Sequence, residues 1–272
     1  MEINIRENLV LLRENVPLVH NITNYVVMNF TANALLALGA SPVMAHAVEE
    51  VEEMVSIAGA LVVNIGTLSA SWAEGMKLAM SRAAALGKPI VLDPVGAGAT
   101  SYRNQVLTQL LETAPPAIIR GNASEIMALA GANITTKGVD STASSDQSLD
   151  AALALNRRFG SVVSVSGVTD LIVGNGKVYY ISNGVPLMTR ITGMGCSASA
   201  IAGAYAAVCS DPLAAAVSAA ATMGVCGELA YRHAQLPGSF QVAFLDALAV
   251  SPDHLAELTR ISVSPDRSAD VR

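Results

Sequence analysis

Thr192-Gly193-Met194-Gly195-Cys196 runs directly into Ser197-Ala198-Ser199-Ala200-Ile201: two glycines one residue apart, then a run of small, helix-compatible side chains. The pattern predicts a tight glycine turn that opens a buried helix. The first turn of a helix has backbone N–H groups without intrahelical partners, and the positive end of the helix dipole lies behind them. An anion, above all a phosphoryl group in transfer, fits such a start. Cys196 falls in that first turn, where the same field favours its thiolate. The alternative is a turn whose glycines only let a helix pack closely on a strand. The surrounding sequence has to separate the two.

Working back from this stretch, short apolar strands alternate with helices. Pro17-Leu18-Val19 reads as a strand ending in His20-Asn21-Ile22-Thr23-Asn24, and Ser41 to Ala45 as a second. Ala60 to Gly66 ends in Asn64 and Gly66, and Pro89 to Pro94 ends in Asp93 before Val95-Gly96-Ala97-Gly98. Ala117 to Arg120 runs into Gly121-Asn122-Ala123-Ser124-Glu125, and Ser161 to Val165 ends in Ser166-Gly167. Helices are expected over 5–15, 25–38, 49–58, 69–86, 102–112 and 149–159, with a surface loop over 131–148. Leu171 to Val173 and Lys177 to Ile181, joined by Asn175-Gly176, make a β-hairpin with a type I′ turn. Beyond the glycine stretch lie two Ala-rich helices, an apolar segment from Phe240 to Ala249, a helix started by Ser251-Pro252, and a polar tail from Ser264 that reads as frayed.

Every polar or glycine-rich cluster thus falls at a strand's carboxyl end, where open α/β sheets place ligands. The Asn and Thr residues of 20–24 are either ligand contacts or caps of the following helix. Met44 is either core or the flexible apolar wall of a pocket. Asp93, beside a glycine loop, suits a metal ion or its water as well as a helix N-cap. Glu125 is also favourable for the dipole of the helix it begins. The expected fold is three-layer α/β: a doubly wound, mostly parallel central sheet with a β-hairpin near its end. No repeat or linker divides the chain, so 1–272 reads as a single domain.

Composition narrows the function. Of the 272 residues 52% are apolar and only 14% charged, and aromatics make up just 4%, which suits aliphatic strands covered by Ala-rich helices. A net charge of −6 without a basic run argues against nucleic acid. Cys196, Cys209 and Cys226 are odd in number and lack zinc-type spacing, and His20, His46, His233 and His254 have no metal-site spacing. The first residues have no apolar signal region, and the apolar run 197–230 is broken by Ser210-Asp211-Pro212, so two buried helices in a cytoplasmic protein are expected, with no membrane span.

Asn122-x-x-Glu125, the strand ending in Ser166-Gly167 and Gly193-Met194-Gly195-Cys196 together resemble the ATP-binding half of the ribokinase-like superfamily. More narrowly, the chain resembles the hydroxyethylthiazole kinases of thiamin salvage. The resemblance runs from His20-Asn21-Ile22-Thr23-Asn24-Tyr25 through Ala32 to Ala45, Val63 to Leu68, Leu92 to Ala97, Ile119 to Glu125 and Lys137-Gly138-Val139-Asp140 to the glycine stretch. It implies ATP-dependent phosphorylation of 4-methyl-5-(2-hydroxyethyl)thiazole on its primary alcohol. The family's thiazole contacts carry over to Met44 and Gly193, with Asn24 near the ring. Its nucleotide contacts carry over to Arg120 and Ser166, beside Asn122. The family often has Thr where Ser166 stands, and Gly-Thr-Gly-Cys where Met194 replaces the Thr; neither change removes the hydroxyl of the first or the backbone N–H of the second. A homotrimer with its sites between subunits is also implied.

On this reading the N–H groups of Gly193, Gly195 and Cys196 receive the phosphoryl group, Arg120 holds a polyphosphate oxygen, and Asp93 and Glu125 hold Mg²⁺ through waters. Most of the superfamily has an aspartate base where this chain has Cys196. A thiolate there would accept the alcohol proton; a neutral thiol would only orient the alcohol. Kinases of hydroxymethylpyrimidine or pyridoxal, which usually carry Asp at that position, and nucleotide-dependent lyases of related fold, where Asp is also expected, are the competing enzymes. A non-catalytic binding protein would have no need for the two carboxylates.

Overall fold

The structure, a computed structural model, describes residues 3–131 and 145–265. The Lys137–Asp140 motif and most of the loop expected over 131–148 lie outside the described residues. Among the described residues nine strands form one sheet in the order β2-β1-β3-β4-β5-β6-β7-β8-β9. They are β1 Leu18–Ile22, β2 Ser41–Val43, β3 Ala60–Asn64, β4 Ile90–Asp93, β5 Ile118–Asn122, β6 Val162–Ser166, β7 Asp170–Gly174, β8 Lys177–Ile181 and β9 Ile261–Pro265. Pairing is parallel from β2 to β6 and antiparallel from β6 to β9. The expected mixed, mostly parallel sheet is therefore what forms. Asn175 and Gly176 both have positive φ, +52° and +70°, as a type I′ turn requires.

Strand residues alternate between the two faces. Leu61 and Val63 join one core with α4 (Ala70–Ala85) and α5 (Ser101–Thr113), while Val62 joins the opposite core. That second core holds α1 (Ile5–Asn15), α2 (Met28–Leu38), α8 (Met194–Ala206) and α9 (Pro212–His233). A third cluster packs α6 (Ala123–Leu129) and α7 (Ser145–Phe159) on β5 to β8. The chain is thus a three-layer sandwich. From Ser197 to Ala206 every residue of α8 is buried, because Ala, Ser and Gly allow it to lie close on the sheet. The Tyr205 hydroxyl and Thr222 Oγ1, 2.8 Å apart, satisfy each other between α8 and α9. Helix α9 is the one helix among the described residues long and apolar enough to cross a membrane, but 83% of its apolar window is buried in protein. It is the fold's central helix.

Two expectations for the second half of the chain's secondary structure need correction. Helix α7 begins at Ser145 rather than 149, which shortens the loop. Ser264 and Pro265 are not frayed: they pair with Val178 and Lys177 at the end of β9. Only residues 266–272 of the tail lie outside the described residues. The β9 segment is short and carries Pro265, and its strand character comes from hydrogen bonds to β8, 80 or more positions earlier in the chain. No local pattern reveals such pairing.

Because β1 lies between β2 and β3, the chain winds away from it in both directions. The crevice at the carboxyl ends beside β1 and β3 is the topological switch point, the place where such sheets bind ligands.

Candidate active site

Parallel register brings the polar strand ends side by side. Asn64 is the cross-strand partner of Asp93, and Asn122 that of Ser166. Asn64 Nδ2 donates to Asp93 Oδ2 at 2.7 Å, and Asn24 Nδ2 donates to Asn64 Oδ1 at 2.9 Å. Asn24 Nδ2 also lies 3.4 Å from the sulfur of Cys196. From α8, Ser199 Oγ donates to the same Asp93 Oδ2 at 2.7 Å. A continuous network, Cys196–Asn24–Asn64–Asp93–Ser199, therefore crosses the switch point. Apart from Cys196, its members are at most 4% exposed. Burying so many polar groups costs more than an apolar core of the same volume, so the network marks a working site.

Electrostatics follow from that burial. Desolvation pushes the Asp93 carboxyl up to about 7; the nearby charge of Glu125 adds to this, and the Arg120 guanidinium and the two hydrogen bonds oppose it. Desolvation, followed by the Asp93 charge, pushes the Cys196 thiol up to about 11. The expectation that the helix start favours a thiolate is thus reversed. A dipole contribution of about 1 kcal/mol is less than one pKa unit and cannot offset that burial. At neutral pH Cys196 is a thiol.

The glycine stretch opens α8 as expected. Gly193 is the N-cap with φ +88°, and no side chain caps the helix. Ser197 N, bonded to Gly193 O at 2.8 Å, is the first intrahelical donor, which leaves the N–H groups of Met194, Gly195 and Cys196 ahead of the ladder. Arg120 Nη1 donates to Gly195 O at 3.0 Å, so the guanidinium lies against that first turn. Asn122 and Glu125 form a capping box on α6: Asn122 Oδ1 accepts from Glu125 N, and Glu125 Oε2 accepts from Asn122 N, both at 2.9 Å. Glu125 Oε1 also accepts from Gly96 N at 2.9 Å, which ties the loop after β4 to β5. Both residues thus have structural work, and a carboxylate so engaged keeps further lone pairs. Ser166 Oγ lies 3.4 Å from Gly121 O, beside Asn122. Met44 follows β2 at the other side of the crevice; its neighbour His46 has its ring centroid 6.4 Å from that of Tyr25, next to Asn24.

Asn24, Cys196 and Asp93 are therefore joined in one hydrogen-bonded network through Asn64, Arg120 reaches the same helix start through Gly195 O, and Glu125 acts on Asp93 through its charge, whereas Met44 and Ser166 lie at opposite ends of the row. Two participants escaped the sequence reading. Ser199 sits three residues after Cys196, on the same helical face, and a hydroxyl in an Ala run was the available signal. Arg103 had none. Its Nη1 donates to Ile65 O and Val95 O, both at 2.7 Å, and its Nη2 to Gly66 O at 2.8 Å, which staples the loops after β3 and β4.

The sequence profile of the hydroxyethylthiazole kinase family matches residues 9–253. The chain is 58% identical over 252 residues to the hydroxyethylthiazole kinase of Syntrophus aciditrophicus, covering 92% of this chain and 93% of the relative. It is 56% identical to that of Leptospira biflexa over 242 residues, 89% and 91% of the two chains. Among solved structures, hydroxyethylthiazole kinase from Pyrococcus horikoshii superposes with a TM-score of 0.88 at 43% identity, over 96% of this chain and 98% of that one. Pyridoxal kinase from Staphylococcus aureus, with AMP-PCP and pyridoxal, superposes at 0.62 with 16% identity over 92% and 100%, a likeness of fold alone. Carboxyl-end polar network, uncapped glycine turn and whole-length similarity converge: this chain belongs to the hydroxyethylthiazole kinase family.

Proposed function

We propose that this enzyme transfers the γ-phosphoryl group of ATP to the hydroxyl of 4-methyl-5-(2-hydroxyethyl)thiazole, a step of thiamin salvage. The observation that carries the reading is the buried network that joins Cys196 and Asn24 to Asp93 at the uncapped start of α8. It lies midway along the row of strand ends. Met44 and Asn24, by β2 and β1, receive the alcohol; Arg120, Asn122 and Ser166, at β5 and β6, receive the nucleotide. At about 4.8 Å per strand, β2 to β6 span roughly 24 Å, room for the alcohol and a triphosphate end to end.

Phosphoryl transfer with a loose transition state needs positioning and charge neutralisation more than covalent help. The N–H groups of Gly195 and Cys196, set by the Gly193 turn, face the group in transfer and gain strength as charge develops. Arg120, already against that turn, takes a polyphosphate oxygen. Asp93 and Glu125 offer hard oxygen donors. Among the described residues no three His, Cys, Asp or Glu side chains cluster into a metal cage. A pair of carboxylates suits Mg²⁺, which keeps several waters and takes phosphate oxygens as further ligands. When bound, the ion neutralises charge between the phosphates.

The thiol of Cys196 orients the alcohol and takes no proton at neutral pH. Cys196→Ala accordingly lowers kcat by about tenfold or less, and a loss near the ~10⁴-fold upper range of general-base catalysis would overturn that role. A single kinase domain over 1–272, a cytoplasmic setting and a homotrimer with sites between subunits belong to the same proposal. Tyr25 and Val26, next to Asn24, are 64% and 65% exposed and offer an apolar surface to a second copy. Sedimentation equilibrium at three times the 28.0 kDa chain mass would support the trimer, and a monomer would remove it.

The deciding experiment is ATP consumption with Mg²⁺ and four alcohols: the hydroxyethylthiazole, hydroxymethylpyrimidine, pyridoxal and ribose. Turnover confined to the thiazole is expected. Turnover of another alcohol would replace the substrate, and none at all would overturn the reaction.

A further inference from the structure

Met44 belongs to an irregular segment, 44–47, between β2 and α3 (Val51–Ile57). The ladder of β2 with β1 ends at Val43 and the bonds that start α3 reach back only to Ala47 O, so among the described residues neither fixes 44–46. Two contacts from elsewhere do. On one side, His20 Nε2, from the middle of β1, lies 2.8 Å from Ala45 O. A carbonyl only accepts, so Nε2 carries the ring proton and donates. His20 is fully buried, and burial lowers its pKa, which keeps the ring neutral with that one N–H. Its Nδ1 has no hydrogen-bond partner among the described residues. On the other side the segment presses on α4: a Cβ on Gly75 would come within 2.7 Å of His46 O. The His46 ring packs on Trp72, one turn earlier, with centroids 4.4 Å apart.

A buried imidazole with an orphaned nitrogen is an expensive way to fill a core. Its one hydrogen bond goes to the residue beside Met44. We propose that His20 is a positioning residue for the alcohol substrate: its N–H fixes the Ala45 carbonyl, Gly75 provides the opposing stop, and together they set the depth to which Met44 enters the crevice. This rests on the reading of Met44 as substrate wall given above. The conformation of segment 44–46 then governs affinity for the alcohol while leaving the nucleotide end of the row untouched.

Trp72 is the sole tryptophan and packs at a tilt against both His46 and Tyr25, so its fluorescence reports on this segment without turnover. Thiazole binding by Trp72 fluorescence and KM for thiazole and for ATP are measured in His20→Leu, His20→Gln, Gly75→Ala and Met44→Ala. Loss of one buried hydrogen bond predicts that His20→Leu weakens thiazole binding and raises its KM about tenfold, with KM for ATP unchanged. His20→Gln, whose amide N–H reaches the same carbonyl, recovers most of the affinity. Gly75→Ala shifts thiazole KM in the same direction from the opposite side. If kcat and both KM values move together, or His20→Gln is no better than His20→Leu, His20 is only a core residue and the proposal fails. Should His20→Leu not fold, an unchanged thiazole KM in Gly75→Ala overturns it equally. Unaltered thiazole affinity in Met44→Ala would instead overturn the reading of Met44 itself.

Discussion

Asp93→Asn raises the thermal stability of the metal-free protein at pH 8 while removing most of its turnover. Folding lifts this carboxyl from its ordinary 3.8 to about 7, chiefly by desolvation. The folded state therefore holds the proton more tightly than the unfolded state. Below pH 4 both states are protonated and no penalty exists; between pH 4 and 7 the folded protein loses stability, and above 7 the loss is complete. With Asp93 only 3% exposed, that loss is on the order of 4 kcal/mol at 1.36 kcal/mol per pKa unit. Asparagine keeps an oxygen to accept from Asn64 and Ser199, so the network survives without the charge. Melting in EDTA should show a gain of several degrees at pH 8 and little at pH 4. Turnover should fall by about 10²–10³-fold, the range for a lost transition-state electrostatic contact. A variant that is no more stable at pH 8, or that retains near-normal kcat, would refute the assignment of Asp93 as a destabilised working carboxylate.

Gly193→Ala damages both stability and catalysis. Gly193 has φ +88°, a conformation costing a Cβ-bearing residue about 1 kcal/mol. Its Cβ would also meet Phe30 Cδ1 and Val27 Cγ1 at 3.2 Å, and both side chains are already buried. Relief requires the turn to rotate, which re-aims the N–H groups at the start of α8. A displacement of that kind near the reacting centre costs on the order of 10²-fold in rate. Gly195→Ala is the control. Among the described residues its Cβ would meet only Arg120 Nη1, at an ordinary 3.6 Å, so stability should hardly change. Equal melting temperatures and equal kcat/KM for Gly193→Ala and wild type would show that neither the turn nor its donors matter.

Much of this was legible in the residues themselves. Helix α1 and hairpin β7–β8 fall where their periodicity and Asn175-Gly176 put them, because the determinants lie within a few residues of one another. Boundaries drifted where tertiary bonds decide them: α2 begins at Met28, after a turn that includes the Val27 N to Asn24 O bond, and not at 25. Of the site, every member that ends a strand was visible as a polar residue closing an apolar run. Arg103 was not, since its three acceptors are backbone carbonyls that any sequence possesses.

By itself, then, the sequence determined the alternation of strands and helices, the polar strand ends, the glycine turn before Cys196 and membership of a kinase family. Only the tertiary structure decided that Cys196 is a neutral thiol, that Asp93 titrates near 7, that Glu125 is half engaged in a cap and that β9 closes the sheet. The division has a physical cause. Helix periods, turns and strand lengths arise from backbone preferences over a few neighbouring residues. Desolvation and hydrogen-bond partnership arise from groups far apart in the chain, 29 positions for Asn64 and Asp93 and 172 for Asn24 and Cys196, which only the packed sheet brings within reach.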